Sequence, residues 1–199
     1  MTWVGLTNLQ ATFSSSAWDI INTTGLQQNL DRGKKANPAD LSILERQEPW
    51  SAIRSAVFES IRLCGPVTGP ARIVKENYSL PSELKLSVPK SQVITLSSYY
   101  RHRQQSVWGN DAASYNPQRF ATEDPPIGTD RYITWGLKTP HICPGRWFGL
   151  EVIQILILRL FSTYTIVPDS TVPDANKYQY NGGSVRWKDI GVTVRKSSE

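Results

Sequence analysis

Cys143 lies on a tight turn, residues 140–145, directly before a long apolar stretch that predicts a helix. The N-terminus of a helix presents free N–H groups and the positive end of the helix dipole, and both stabilise a thiolate. A thiolate at this position can ligate a metal such as iron or act as a nucleophile. Gly145 has no side chain, so a flat group can approach the turn closely. The alternative is a buried structural cysteine, a frequent state of a free thiol.

Two further patterns come earlier in the chain. Glu59 and Arg62 are three residues apart on one face of a predicted helix, a spacing that by itself is often found on exposed surfaces. Residues 115–120 read Tyr-Asn-Pro-Gln-Arg-Phe, and residues 108–112 before them read Trp-Gly-Asn-Asp-Ala. Each pattern is weak alone, and their common order along one chain makes them informative.

The order and spacing of these patterns resemble those of the haem-thiolate cytochrome P-450 family. Glu59 and Arg62 match the Glu-x-x-Arg helix of that family. Residues 116–120 resemble its Pro-Glu-Arg-Phe element, with Gln in place of the usual Glu, and residues 102–111 resemble the segment before it. Residues 141–146 match its cysteine loop. The resemblance covers most of the chain, with a fungal-like character, and corresponds to the C-terminal part of the family alone.

The resemblance assigns roles to several residues. Cys143 would be the axial thiolate of a haem iron, where a thiolate pushes electron density to the metal and favours O–O cleavage. His141 and Arg72 fall where the family binds the haem propionates, and Gly145 lies where the cofactor is approached closely. The implied cofactor is haem, iron protoporphyrin.

The resemblance also implies an internal ion-pair network. Glu59, Arg62 and Arg119 would form it and would hold the cysteine loop in place, which is a structural role rather than a catalytic one. Removal of one member would leave a buried charge without its partner and cost about 3–5 kcal/mol. For His102, the resemblance suggests a packing role.

Two features depart from the family pattern. The family's distal helix usually carries an acid directly before an alcohol, and the pair delivers protons to bound oxygen. Here Thr12 is the candidate catalytic alcohol, but the residue before it is Ala11. The aromatic and glycine residues that precede the cysteine are also displaced, so residues 135–136 supply that pair only if the loop has one extra residue. Lys138 or Thr139 then occupies a position where the family has glycine.

The elements that position these residues are mostly helical. We expect a mainly α fold with a small β region, the C-terminal half of the cytochrome P-450 fold, as a single partial domain over residues 1–199. A short helix is also predicted at 38–47. The main predicted elements are a distal helix at 3–21, the Glu-x-x-Arg helix at 49–64, short strands at 72–98, a meander and cysteine loop at 110–145, a buried helix at 146–163, and C-terminal strands at 164–194.

Composition limits the classes of protein that remain. The chain has 199 residues, of which 39% are hydrophobic, so one domain with a real core is expected rather than extensive disorder. The net charge of +5 is scattered, which predicts no nucleic-acid partner but permits a docking face for an acidic protein. Two cysteines make no disulfide framework. We expect neither a signal peptide nor a membrane anchor in this chain. Anchored family members lie on the endoplasmic reticulum, and the localisation of this chain stays open.

Three functions remain in competition. The first is a haem-thiolate monooxygenase that oxidises an apolar small molecule, for example in secondary metabolism, with electrons delivered by an NADPH-cytochrome reductase. The second is a haem-dependent isomerase or dehydratase that needs no reductase, and the absence of an acid before Thr12 favours it. The third is a truncated, non-catalytic family member, because full-length members are much longer.

Overall fold

The computed structural model describes residues 3–23, 50–66, 69–80, 85–137, 141–169, 178–180, 185–187 and 191–196. Over these ranges the chain is dominated by helices, with small two-stranded antiparallel sheets. This confirms the predicted fold class. The short helix predicted at 38–47 lies outside the described residues.

Three long helices pack against one another and carry most of the core. The helices of the described ranges are α1 (Trp3–Ile21), α2 (Trp50–Cys64), α3 (Ser98–Arg101), α4 (Gln105–Trp108) and α5 (Arg146–Thr163). The long ones are α1, α2 and α5. Helix α1 occupies the residues of the predicted distal helix, and α2 ends at the predicted residue, while the predicted first residue, 49, lies outside the described residues. The two short helices, α3 and α4, were not anticipated.

Helix α2 is the centre of the core. Its apolar residues recur at spacings of three and four, so Ile53, Val57 and Ile61 form one stripe and are almost completely buried. Phe58 extends this packing to an aromatic cluster through an edge-to-face contact with Phe120, with ring centroids 6.0 Å apart. Complete burial of one side chain of this size contributes about 1.5–3 kcal/mol. Because α2 carries several such side chains, it contributes a large share of the core.

Helix α5 differs from its prediction. Its nearly continuous apolar sequence predicted burial on all sides, but only one face is buried, with Leu150, Ile153 and Phe161 in the core. Trp147 and Phe148 on the other side are 44% and 56% exposed. These apolar side chains therefore remain partly in contact with solvent.

The strands form short antiparallel pairs. Between α2 and α3, β1 (Ala71–Ile73) pairs with β4 (Val93–Thr95), and β2 (Tyr78–Ser79) pairs with β3 (Ser87–Val88) inside that hairpin. This arrangement lies in the region predicted to contain short strands.

The C-terminal region forms two further pairs. Strand β5 (Tyr164–Pro168) continues directly from α5 and pairs with β8 (Val192–Lys196). The strands β6 (Tyr178–Tyr180) and β7 (Val185–Trp187) pair with each other from either side of the Asn-Gly-Gly sequence at 181–183.

No helix in the described part of the chain combines the length and the apolarity that a bilayer-spanning segment requires.

Candidate functional site

A cavity of about 720 Å³ lies between α1 and the loop that carries Cys143. Thr12 and Leu9 of α1 line one wall, and Cys143, Gly145 and Phe148 line another. The lining is mostly apolar. The fold therefore brings together candidate residues that are far apart in the chain, some from the first helix and some from the turn that precedes the last helix.

Small residues allow the two walls of the cavity to approach each other. A Cβ atom at Gly149, in the first turns of α5, would lie 3.4 Å from Leu9 Cδ2. That is an ordinary van der Waals distance, so the glycine lets Leu9 of α1 pack directly against α5 beside the cavity.

The cysteine loop is closed by backbone contacts. Cys143 is half-buried, and its N–H donates to the Trp135 carbonyl at 2.8 Å. Gly136 has φ +86°, and a Cβ atom there would lie 2.5 Å from the His141 carbonyl oxygen. Only glycine satisfies both the conformation and the close approach. Trp135 and Gly136 therefore close the loop, and the prediction that the loop carries one extra residue stays a prediction.

The first turn of α5 holds the other side of the cysteine. Arg146 donates to the Cys143 carbonyl from its backbone N–H at 3.4 Å and from Nη1 at 3.0 Å. Gly145, between them, has space around it, because a Cβ atom built there would meet nothing within 4 Å. Gly145, with the open space beside it, and Cys143 therefore lie on the same wall of the cavity.

The other candidate residues differ in their position. Thr12 is 4% exposed, lines the cavity, and donates from Oγ1 to the Asn8 carbonyl at 2.8 Å. His141 is exposed and also lines the cavity. Arg72 is exposed on β1, donates to the Ala71 carbonyl at 2.8 Å, and is not among the described residues that line the cavity. The structure therefore brings His141, but not Arg72, to the cavity wall.

The predicted network is assembled around one buried carboxylate. Glu59 accepts from Arg62 Nε and Nη2, both at 2.7 Å, and neither side chain is exposed. Arg119 Nε donates to Glu59 Oε1 at 3.1 Å. Burial alone would lower the pKa of Arg119, but the Glu59 and Asp111 carboxylates raise it above its usual value.

The same residues connect α2 to the meander. Arg62 Nη1 donates to the carbonyls of His102 and Ala112, the latter at 2.7 Å. Arg119 donates to the Trp108 carbonyl at 3.1 Å and to Asp111 Oδ2 at 2.7 Å. Both arginines thus satisfy buried carbonyls in a segment with little regular structure, which needs such partners. The network holds the meander against α2.

Two members of this network were not identified from the sequence. The Asn116 N–H donates to Glu59 Oε1 at 3.0 Å, and the Asn116 amide donates to Asp111 Oδ2 at 3.2 Å. Hydrogen bonds from Asn116 and then from Arg119 hold the pKa of Asp111 below its usual value. Asp111 lies in the sequence pattern at 108–112, and Asn116 lies with Arg119 in the pattern at 115–120. That position was the signal the sequence offered for these two residues.

Comparison with known proteins identifies the class of protein. The model of the cytochrome P-450 family matches residues 52–191, which is more than half of the chain. The chain therefore belongs to the cytochrome P-450 family. A crystal structure of a cytochrome P-450 (CYP102L1) superposes with a TM-score of 0.71 at 18% identity, over 96% of this chain and 42% of that chain. That similarity establishes the fold.

Fungal relatives are among the similar sequences. Cytochrome P-450 monooxygenase lnaC of Aspergillus flavus is 28% identical over 198 residues, which cover 87% of this chain and 37% of the relative. Cytochrome P-450 monooxygenase alt2 of Alternaria solani is 24% identical over 137 residues, covering 66% of this chain and 25% of the relative. The chain thus spans about a quarter to two fifths of the length of these relatives.

The family implies a haem cofactor with a cysteine thiolate ligand, and the residues around the cavity fit such a group. The wall carries a half-buried thiol at Cys143, and the described residues contain no cluster of three or more His, Cys, Asp or Glu side chains that offers a competing metal site. Gly145 leaves open space beside that thiol. The remaining lining is mostly apolar, as a macrocycle requires.

Proposed function

We propose that this chain is the haem-binding, C-terminal part of a monooxygenase that oxidises an apolar small molecule, for example in secondary metabolism, and that Cys143 is the axial thiolate. The observation that carries the proposal is that Cys143 and Gly145 line a mostly apolar cavity whose opposite wall includes Thr12. When bound, the haem would supply oxygen activation, for which a thiolate ligand favours O–O cleavage.

The residues of this chain would bind the cofactor, exclude water and hold protons. Leu9 and Phe148 would exclude water from the cavity, and His141, exposed at its wall, would pair with a carboxylate of the cofactor. Arg72 stays a prediction for the same role. Thr12 keeps its proton on Oγ1 in a hydrogen bond to the Asn8 carbonyl, and the same oxygen can still accept a hydrogen bond from water or substrate.

A monooxygenase of this type needs two electrons in each turnover. We propose that an NADPH-cytochrome reductase supplies them, as the family commonly uses such a reductase. The names of the relatives lnaC and alt2, both monooxygenases, support oxidation rather than another haem-dependent reaction.

A specific observation favours a second candidate, a haem-dependent isomerase or dehydratase. Ala11 precedes Thr12, so the acid of the usual proton-delivery pair is missing, and the Thr12 proton is already donated within α1. Such an enzyme would convert an oxygenated substrate without a reductase. Turnover of a peroxide substrate in the absence of NADPH supports this candidate, and strict dependence on NADPH excludes it.

The first test is the carbon monoxide difference spectrum of the reduced chain after addition of haem. We expect the long-wavelength Soret band of a thiolate ligand in the parent chain and its loss in Cys143→Ala. The matched control is Cys64→Ala, which removes the other cysteine, a buried side chain 3.3 Å from Ser15 Oγ. The control should keep the band. A thiolate band in Cys143→Ala, or none in the parent, overturns the proposal.

A further inference from the structure

We infer that His102 is a positioning residue that sets the cysteine loop relative to α2. Its imidazole is completely buried. Nδ1 lies 2.8 Å from the Arg62 carbonyl oxygen, which can only accept, and the Ile133 N–H donates to Nε2 at 3.1 Å. One ring nitrogen therefore donates and the other accepts, which requires a neutral ring with its proton on Nδ1. A side chain used for packing alone would not need this pair of opposite roles.

The hydrogen bond from His102 Nδ1 to the Arg62 carbonyl caps the C-terminal end of α2. Arg62 lies in the last turn of α2, where backbone carbonyls have no partner inside the helix. His102 provides a donor for one of them. Arg62 in turn donates to the His102 carbonyl, so the two residues are bonded in both directions. Through Arg62, His102 is connected to the buried Glu59 carboxylate.

The second bond reaches the cysteine loop through the backbone. Ile133 donates its N–H to His102 and accepts at its carbonyl from the Gly136 N–H at 3.0 Å. Trp135, between them, accepts the Cys143 N–H at 2.8 Å. The path from His102 to Cys143 thus consists of Ile133, Trp135 and Gly136, the residues that close the loop. Displacement of Ile133 would displace the acceptor of the Cys143 amide.

Aromatic neighbours hold the ring in this orientation. The Tyr132 ring is tilted 30° against the imidazole with centroids 5.1 Å apart, and Trp108 makes an edge contact at 6.0 Å. Burial lowers the pKa of His102 to about 3, so the neutral form that the two bonds require is the stable one at neutral pH. The orientation and the protonation state therefore agree.

The inference that His102 positions the cysteine loop rests on these contacts and does not require haem. The further statement that this positioning matters for iron ligation rests on the proposed function. The test uses the haem-free chain, so that the role of His102 is measured independently of iron ligation.

Three substitutions separate the roles of the two ring nitrogens. His102→Phe removes both bonds, His102→Asn keeps a donor near Nδ1, and His102→Gln keeps an acceptor near Nε2. The readout is amide hydrogen exchange at Ile133 and Cys143, compared with amides in the middle of α2.

We expect exchange at Ile133 and Cys143 to rise about tenfold in His102→Phe and His102→Asn, the loss of roughly one net hydrogen bond. His102→Gln should stay closer to the parent chain, and amides in α2 should change less than twofold in all three variants. The matched control is Tyr115→Phe, which removes another hydrogen bond to an α2 carbonyl, that of Ala56 at 3.2 Å. It should leave the ratio of loop to α2 exchange unchanged.

Two results overturn the inference. Equal acceleration in the loop and in α2 would make His102 a general stabilising residue, and normal exchange at Ile133 and Cys143 in His102→Asn would make the Nε2 bond irrelevant. After haem addition, His102→Phe and His102→Asn should show a smaller fraction of the thiolate-type Soret band than Tyr115→Phe. A parent chain without that band refutes the proposed function, and the exchange data still decide the role of His102.

Discussion

Glu59→Gln is the sharpest perturbation of the buried network. It keeps the shape of the side chain and one oxygen, and it removes the negative charge. In the native chain the carboxylate accepts two bonds from Arg62 and one each from Arg119 and the Asn116 N–H. The substitution leaves the guanidinium of Arg62 completely buried without a counter-ion, because neither side chain of the pair is exposed.

The expected loss of stability is large. Breaking a buried pair by removing one partner costs about 3–5 kcal/mol, because the remaining charge stays desolvated. Domains of ordinary size have a free energy of unfolding of about 5–15 kcal/mol. The Glu59→Gln chain should therefore lose roughly a fifth or more of its stability, and its urea midpoint, followed by circular dichroism, should fall accordingly.

Asp124→Asn is a control with the same chemistry. Asp124 accepts two bonds from Arg54, another arginine of α2, at 2.9 and 2.7 Å. These side chains are 27% and 31% exposed, so solvent screens the pair and its loss should cost only about 0–1 kcal/mol. Equal losses in the two variants, or a Glu59→Gln chain within about 1 kcal/mol of the parent, would refute the argument from burial.

Three further predictions concern His102 and two glycines. The folded pKa of His102, about 3 against 6.5 in the unfolded chain, means that the unfolded state binds more protons between these values. Stability should fall as the pH is lowered from 6.5 towards 3, by about 1.4 kcal/mol per pH unit for one proton. Urea titrations of His102→Gln should lack that part of the slope, and identical slopes would contradict the assignment. Gly136→Ala should destabilise the haem-free chain by at least about 1–2 kcal/mol in the same titration, because alanine is unfavourable in the left-handed region and its Cβ would meet the His141 carbonyl. Gly145→Ala, at φ −86° with nothing near its Cβ, should leave that stability unchanged and reduce haem uptake in a spectral titration; unchanged uptake would argue against close approach of the cofactor at Gly145.

The sequence was sufficient for properties that depend on residue type and local spacing. Helix α2 follows from its apolar periodicity and α5 from a long, nearly continuous apolar sequence, and the i,i+3 spacing of Glu59 and Arg62 placed them on one face of α2. The family assignment followed from the order of short motifs and is confirmed by the match over residues 52–191. The role of Cys143 came from one of these motifs and that of Thr12 from the position of the distal helix, and both stay predictions.

Other properties depend on which distant backbone atoms meet, and short motifs carry no information about that. Asn116 reaches Glu59 through its backbone N–H, which every residue except proline has, so its residue type did not reveal the bond. The exposed face of α5 is a similar case, because an apolar sequence shows what can be buried but not whether another element covers it.

His102 and Gly136 show the division most clearly. The sequence predicted a packing role for His102 and assigned an aromatic-glycine pair to residues 135–136 only if the cysteine loop carries one extra residue. The hydrogen bond from Ile133 to the imidazole exists only after distant segments have been brought together, and the close approach of Gly136 to the His141 carbonyl depends on the conformation of the whole loop. The amino-acid sequence by itself determined the family, the long helices and the candidate ligand, and only the packing of α2 against the meander determined which backbone groups complete the buried network around Glu59, because those groups are distant in the chain.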